Sequence, residues 1–193
     1  MSGKQVLRRT MLAARAALDP RQRAEADAAI VAAARRIIRG ASRVAGFVPM
    51  PGEPGGPELP GSLAADLPPL GLLLPSLMPD RDLDWAAYDG VLAAGPPPAR
   101  LLEPAGPRLG VEAIATAEIV LVPAVTVDQS GVRLGRGGGS YDRALARVPV
   151  GTFVCTLLYD DELLDRVPAD AHDRPVTAVA TPGGVTRLPR ARA

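Results

Sequence analysis

Cysteine and histidine are almost missing from this 193-residue chain, each occurring once, as Cys155 and His172. A lone cysteine excludes an internal disulfide and a cysteine metal cluster. Excess charge of either sign is missing as well. The 22 Lys and Arg face 21 Asp and Glu, a net +1, so no global field recruits nucleic acid or an acidic membrane. No apolar run approaches the roughly 20 residues that cross a bilayer, and no charged-then-apolar leader opens the chain. The expectation is a cytoplasmic protein that meets neither nucleic acid nor membrane. Internal repeats and low-complexity blocks are lacking too. The 20 Gly and 21 Pro are dispersed among apolar segments, which implies many loops rather than disorder. The length suits a single domain over residues 1–193 with a full core.

What is present centres on one stretch. Ile119 to Asp128 is an apolar, β-branched run bounded by turn residues and reads as a buried strand. Arg133-Leu-Gly-Arg-Gly-Gly-Gly-Ser-Tyr-Asp142 follows, with glycine at 135, 137, 138 and 139. Glycine reaches positive φ without steric cost, so successive N–H groups can turn toward one point and form an anion nest. A short helix from Tyr141 to Ala146 adds its free N–H groups. Arg133 and Arg136 bring charge, and Asp142 offers a hard oxygen to Mg²⁺. No Gly-Lys-[Ser/Thr] closes the loop, so it is not a P-loop, and Ser140 stands where a dinucleotide fingerprint needs its third glycine. The alternative is a glycine-rich surface loop carrying solvated arginines.

In order, Lys4 to Ala17 is helical by period, with Leu7, Met11, Ala14 and Leu18 on one face and Lys4, Arg8 and Arg15 on another. By pattern alone the second face is a solvated basic one. Asp19-Pro20-Arg21-Gln22 starts a second helix that runs to about Arg39, where Gly40 stops it. Strands are expected at Arg43 to Pro49, Leu70 to Pro75, Leu83 to Tyr88, Gly151 to Leu158 and Val179 to Thr181. The loop after the first strand carries Glu53, at the strand end where parallel α/β sheets gather ligands. Trp85 is expected in the core and Cys155 as inert packing inside a strand. Met50 and Met78 either line a pocket or join the core. The segment from Gly95 to Gly110 is the candidate mobile connection, Tyr159 to Glu162 a short helix, and Arg187 to Ala193 a frayed tail. Strands alternating with helices imply a three-layer α/β/α fold around a mainly parallel sheet.

Several of these segments together resemble the 5-formyltetrahydrofolate cyclo-ligase (5,10-methenyltetrahydrofolate synthetase) family. The signature resembled is Arg133-Leu-Gly-Arg-Gly-Gly-Gly-Ser-Tyr-Asp142 after Val-Pro-Ala, supported by Lys4-x-x-x-Arg8, Gly52-Glu53, Glu103-Pro104, Tyr159-x-x-Glu162 and His172-Asp173-x-Pro175-Val176. The likeness spans nearly the whole chain. It implies the cyclo-ligase fold, akin to sugar-phosphate isomerases and CoA transferases, and ATP-dependent closure of 5-formyltetrahydrofolate, with or without a polyglutamate tail, by a monomer. It implies that ATP meets Lys4, Arg8, Arg133, Leu134, Gly135, Arg136, Gly137, Gly138, Gly139, Ser140 and Tyr141. Folate would meet Val48, Glu53, Arg136 and Tyr141, with Arg136 and Tyr141 at the reacting groups, and Mg²⁺ would meet Asp142 and Asp173. His172 would order the loop beside Asp173, or act as a base. Three departures surround the substrate: Ser140 for a tyrosine, Thr177 for a frequent aspartate, and Pro54 to Pro57 after the glutamate; Glu162 stands where glutamine is usual. Two other readings stay open: a divergent paralogue that binds nucleotide or pterin without cyclising it, and a sugar-phosphate isomerase using Glu53 as base. Ser140 is also expected to cap the helix that bears Tyr141 and Asp142.

Overall fold

A computed structural model describes residues 2–97, 100–170 and 173–189, so His172 and the end of the tail lie outside the described residues. Two helices open the chain, α1 (Gly3–Ala17) and α2 (Pro20–Ile38). Ser2 and Gln5 form a capping box on α1, and the Asp19 carboxylate accepts from the Arg21 and Gln22 N–H groups at the start of α2. Gly40, at φ 83, turns the chain out of α2. Then come β1 (Val44–Ala45), α3 (Leu59–Ala64), β2 (Leu72–Leu77), β3 (Leu83–Ala87), β4 (Leu92–Ala94), β5 (Leu102–Pro104) and a 3₁₀ turn at Val111–Thr116. The second half supplies β6 (Ile119–Pro123), β7 (Thr126–Asp128), β8 (Arg133–Leu134), α4 (Ser140–Ala146), β9 (Phe153–Leu157), β10 (Leu163–Leu164), β11 (Ala178–Thr181) and β12 (Gly184–Arg187).

The main sheet runs β12-β11-β9-β6-β1-β2-β3. The five inner strands pair in parallel, while β12 and β3 close the two edges in antiparallel fashion. The inner strands are buried on both faces, which is why they read as continuous apolar runs. Side chains alternate between two cores. Val120 and Val122 join a cluster with Trp85, Ile114, Ala144 and Leu145, whereas Leu121 joins one with Ile30, Ala34, Ile38, Leu59 and Leu63. Helices α2 and α3 therefore cover one face, and α4 with the 3₁₀ turn covers the other. This is the expected three-layer α/β/α arrangement with a mainly parallel sheet.

Several local expectations change. The 119–128 run is not one strand. It breaks after Pro123, and β7 leaves to form a small sheet with β8 and β10. Pro75 lies inside β2 rather than ending it. It faces Trp85 of β3, and the last β1 pair is Ala45 with Leu73, so no ladder bond is lost at the proline. The 95–110 segment holds ordered parts: β5 pairs with β4, and the buried Glu103 accepts from the Leu77 N–H and from Arg108. The supposed tail begins inside β12, and Leu188 is buried. Trp85 and Cys155 are fully buried as expected, and burial pushes the Cys155 thiol up to about 12.

The largest difference concerns α1. Ala14 is exposed and Arg15 is buried, so the apolar and basic faces merge into one inward seam of Lys4, Arg8, Met11 and Arg15. Spacings of four, three and four residues put all four on one side of a helix.

Candidate active site

A cleft of about 690 Å³ opens at the carboxyl ends of β1, β2 and β6. It falls where strand order reverses, with β2 on one side of β1 and β6 on the other, which is the usual ligand position in an open α/β sheet. Its volume is that of a small-molecule site. Val48, Met50 and Glu53 come from the loop after β1, Pro123 and Ala124 from the end of β6, and Lys4 and Arg8 from α1. The whole run from Arg133 to Asp142 lines it, as does Asp173. Every residue assigned from the sequence to ATP, folate or metal thus lines one cleft. Met50 lines it too, whereas Met78 is not among its lining residues.

The glycine loop is delivered by the β7–β8 hairpin. Asp128 braces that hairpin by accepting from the Ser130 N–H and hydroxyl, the Val132 N–H and the Val167 N–H. Beyond β8, Gly137 adopts φ 99 and Gly139 φ 71, the left-handed region that glycine enters freely. Among the described residues, none of the N–H groups from Gly135 to Asp142 has a protein acceptor. Donors left without acceptors in such a turn are what an anion nest requires. Arg8 Nε donates to the Gly135 carbonyl at 2.8 Å and so fastens α1 to the loop. The expected cap is corrected: Gly139 holds the cap position of α4 with no side-chain cap bond, and Ser140 is the first helical residue. The left-handed turn needed at the cap favours glycine and moves serine one place on.

Three cleft cations are matched to four carboxylates. Lys4 Nζ lies 2.6 Å from Asp173 and 2.8 Å from Asp170. Arg133 donates to Asp142 at 2.6 Å, and Arg136 to Glu53 at 2.8 Å. Glu53 is buried and also accepts from the Met50 N–H at 3.0 Å. Burial alone would lower the Lys4 pKa, but its bonds to Asp170 and Asp173 outweigh that and raise it. Tyr141 stands 6.0 Å from the Arg133 guanidinium carbon, measured to its ring centre. Burial and the nearby Glu53 charge push its phenol well above the ordinary value, with Arg133 opposing, so it stays a neutral hydrogen-bond donor. Arg133 is itself buried beneath the loop, so its charge reaches the cleft from below.

Other placements answer the sequence departures. Thr177 does not reach the cleft lining; its hydroxyl bonds the N–H and C=O of Val154 beside β9. Gly55, within the Pro54–Pro57 segment, donates to Asp27 of α2, which also accepts from the Tyr159 hydroxyl. Glu162 is buried and ion-paired with Arg15. Sequence reasoning missed Asp170, which no spacing marks. It also missed the burial of Arg15, although its placement on the same face as Arg8 was a usable signal.

The fold and cleft define a three-layer α/β protein with a small-molecule-sized cleft at its strand ends. The description "5-formyltetrahydrofolate cyclo-ligase family" matches residues 1–182, and the chain belongs to that family. It is 42% identical over 147 residues to the 5-formyltetrahydrofolate cyclo-ligase of Mycolicibacterium smegmatis, covering 72% of this chain and 73% of that protein. The solution structure of Aquifex aeolicus 5,10-methenyltetrahydrofolate synthetase matches with a TM-score of 0.79 at 27% identity, covering 98% of this chain and 95% of that one. The Mycoplasma pneumoniae synthetase shares the fold, with a TM-score of 0.72 at 18% identity over 94% and 99% of the two chains.

Proposed function

We propose that this chain is an enzyme that closes 5-formyltetrahydrofolate to 5,10-methenyltetrahydrofolate, consuming ATP in the presence of Mg²⁺. The observation that carries the reading is the single cleft that unites a donor-rich glycine loop, the cations Lys4, Arg8, Arg133 and Arg136, and an apolar wall. The N-formyl oxygen is a poor leaving group until it is phosphorylated. Its attack on the γ-phosphorus breaks the bond to ADP and gives an imidoyl phosphate. N10 then attacks the activated carbon, phosphate departs with the former formyl oxygen, and N10 loses its proton.

In this reading the protein aligns the formyl oxygen with phosphorus and neutralises the charge that develops. Lys4, Arg8, Arg136 and the 135–140 loop hold the phosphates, with Arg133 supporting from beneath. Val48, Glu53 and Tyr141 orient the folate, and the neutral Tyr141 phenol serves as donor. Asp142 and Asp173 fit Mg²⁺, because that ion takes one or two carboxylates and completes its shell with phosphate oxygens and water. A dedicated protein cage is not required, and none is found among the described residues. When bound, Mg²⁺ would supply charge to the phosphates, and its two carboxylates would exchange Lys4 and Arg133 for the metal. No side-chain nucleophile is needed.

The test is to follow methenyltetrahydrofolate absorbance with purified protein, 5-formyltetrahydrofolate and ATP, with and without Mg²⁺. Product with one ADP per turnover, abolished by chelation, is expected. Nucleotide binding with no folate turnover would establish the paralogue reading instead.

A further inference from the structure

Helix α1 carries Lys4 and Arg8 into the cleft, yet little apolar packing holds it. Of its 15 residues only Met11 and Arg15 are buried. Packing of an apolar face is what normally fixes a helix against a protein. Here the fixing is polar and converges on Arg15. Its Nε and Nη2 donate to the two Glu162 oxygens at 2.5 and 2.7 Å, and Nη2 also donates to the Ala124 carbonyl at 2.7 Å. The Glu162 carboxylate accepts from the Tyr159 N–H at 2.9 Å, and its backbone carbonyl accepts from Thr126 at 2.6 Å. The Arg15 guanidinium lies 5.8 Å from the Tyr159 ring centre. One guanidinium therefore joins α1 to Ala124 just past β6 and to the 160–162 turn, which Thr126 in turn ties to β7.

We propose that the buried Arg15–Glu162 pair positions the phosphate-binding cations of α1. Neither residue lines the cleft, so both act through the helix. Arg15 sits on the same face as Arg8, about two turns or 10.5 Å further along. A two-pronged bond at that distance sets both the rotation and the axial register of α1. Buried pairs contribute little net stability compared with apolar groups of the same volume, but they demand one geometry. Loss of the pair frees the helix to rotate or slide, and Lys4 and Arg8 lose their aim together. The inference rests on the reading that these two cations hold the ATP phosphates.

The test uses the double variant R15M/E162M, which removes both charges while keeping volume. The variant is expected to fold, to raise the KM for ATP by about tenfold or more, and to leave the folate KM and kcat within about twofold. Amide hydrogens of α1 should exchange faster while those of the inner strands do not. Arg15→Lys, which keeps charge but loses the fork, should fall between the two. An unchanged ATP KM, or ATP and folate KM rising in step, would overturn the proposal. Should the double variant not fold, Arg15→Lys takes its place, and an unchanged ATP KM there overturns it equally. Arg8→Ala measured alongside separates two failures. If Arg8→Ala raises the ATP KM and the pair variant does not, the positioning role alone is lost. If both leave it flat, the phosphate reading falls and the positioning role with it.

Discussion

Asp142 and Ser140 carry the sharpest expectations at the scale of single residues. Asp142→Asn removes charge from the candidate metal ligand and weakens the partner of buried Arg133. A buried donor left poorly satisfied costs about 1–3 kcal/mol, so thermal unfolding should show a modest loss. Turnover should fall further than the roughly tenfold to hundredfold seen when a ligand's outer partner is removed. Parent-like turnover at limiting Mg²⁺ would remove Asp142 from the metal site. Ser140 lines the cleft without a capping bond, so replacing it does not disturb the start of α4. Ser140→Tyr restores an aromatic surface beside the folate, and burying part of one ring is worth about 1 kcal/mol or more. The KM for 5-formyltetrahydrofolate should drop several-fold and that for ATP should hold. An unchanged folate KM would show that serine leaves no gap to fill.

The β7–β8 hairpin is the element on which the glycine loop depends, and Asp128 is its brace. Burial would raise the Asp128 pKa, but bonds from the Ser130 hydroxyl and the N–H groups of Val167, Val132 and Ser130 overcome this and hold it below the usual range. A carboxyl depressed on folding contributes its stability above the unfolded value of about 3.9, and loses it as pH falls through the lower folded value. Denaturant unfolding should therefore show Asp128→Asn less stable at neutral pH, with a shallower decline in acid. A parallel decline in both proteins would deny Asp128 that role. Reading elements from the sequence worked where periodicity or turn chemistry was strong. The Asp19-Pro20 start and the glycine loop stand where expected, and the inner strands overlap their expected spans, with β1 cut to two residues and β6 ending at Pro123. It failed where long-range partners decide. Nothing local shows that Glu162, 147 positions away, draws Arg15 inward, or that β7 leaves the line of β6. The Ser140 cap failed for a local reason, since Gly139 takes the left-handed position first.

At the scale of the molecule, the cleft where strand order reverses between β2 and β6 joins residues far apart in the chain. Lys4 near the start meets Asp170 and Asp173 near the end, across a sheet that no pattern in the sequence orders. The residues that line the cleft were legible because motifs name them; their internal pairing was not. Among the described residues, no helix is long and apolar enough to cross a membrane. The central claim is that this cleft moves the formyl oxygen onto phosphorus. The direct measurement is turnover of 5-formyltetrahydrofolate labelled with heavy oxygen in its formyl group, with MgATP in ordinary water, followed by mass analysis of the phosphate released. The account predicts one labelled oxygen in each phosphate formed. Label lost to water, or methenyltetrahydrofolate formed without ATP consumption, would contradict it.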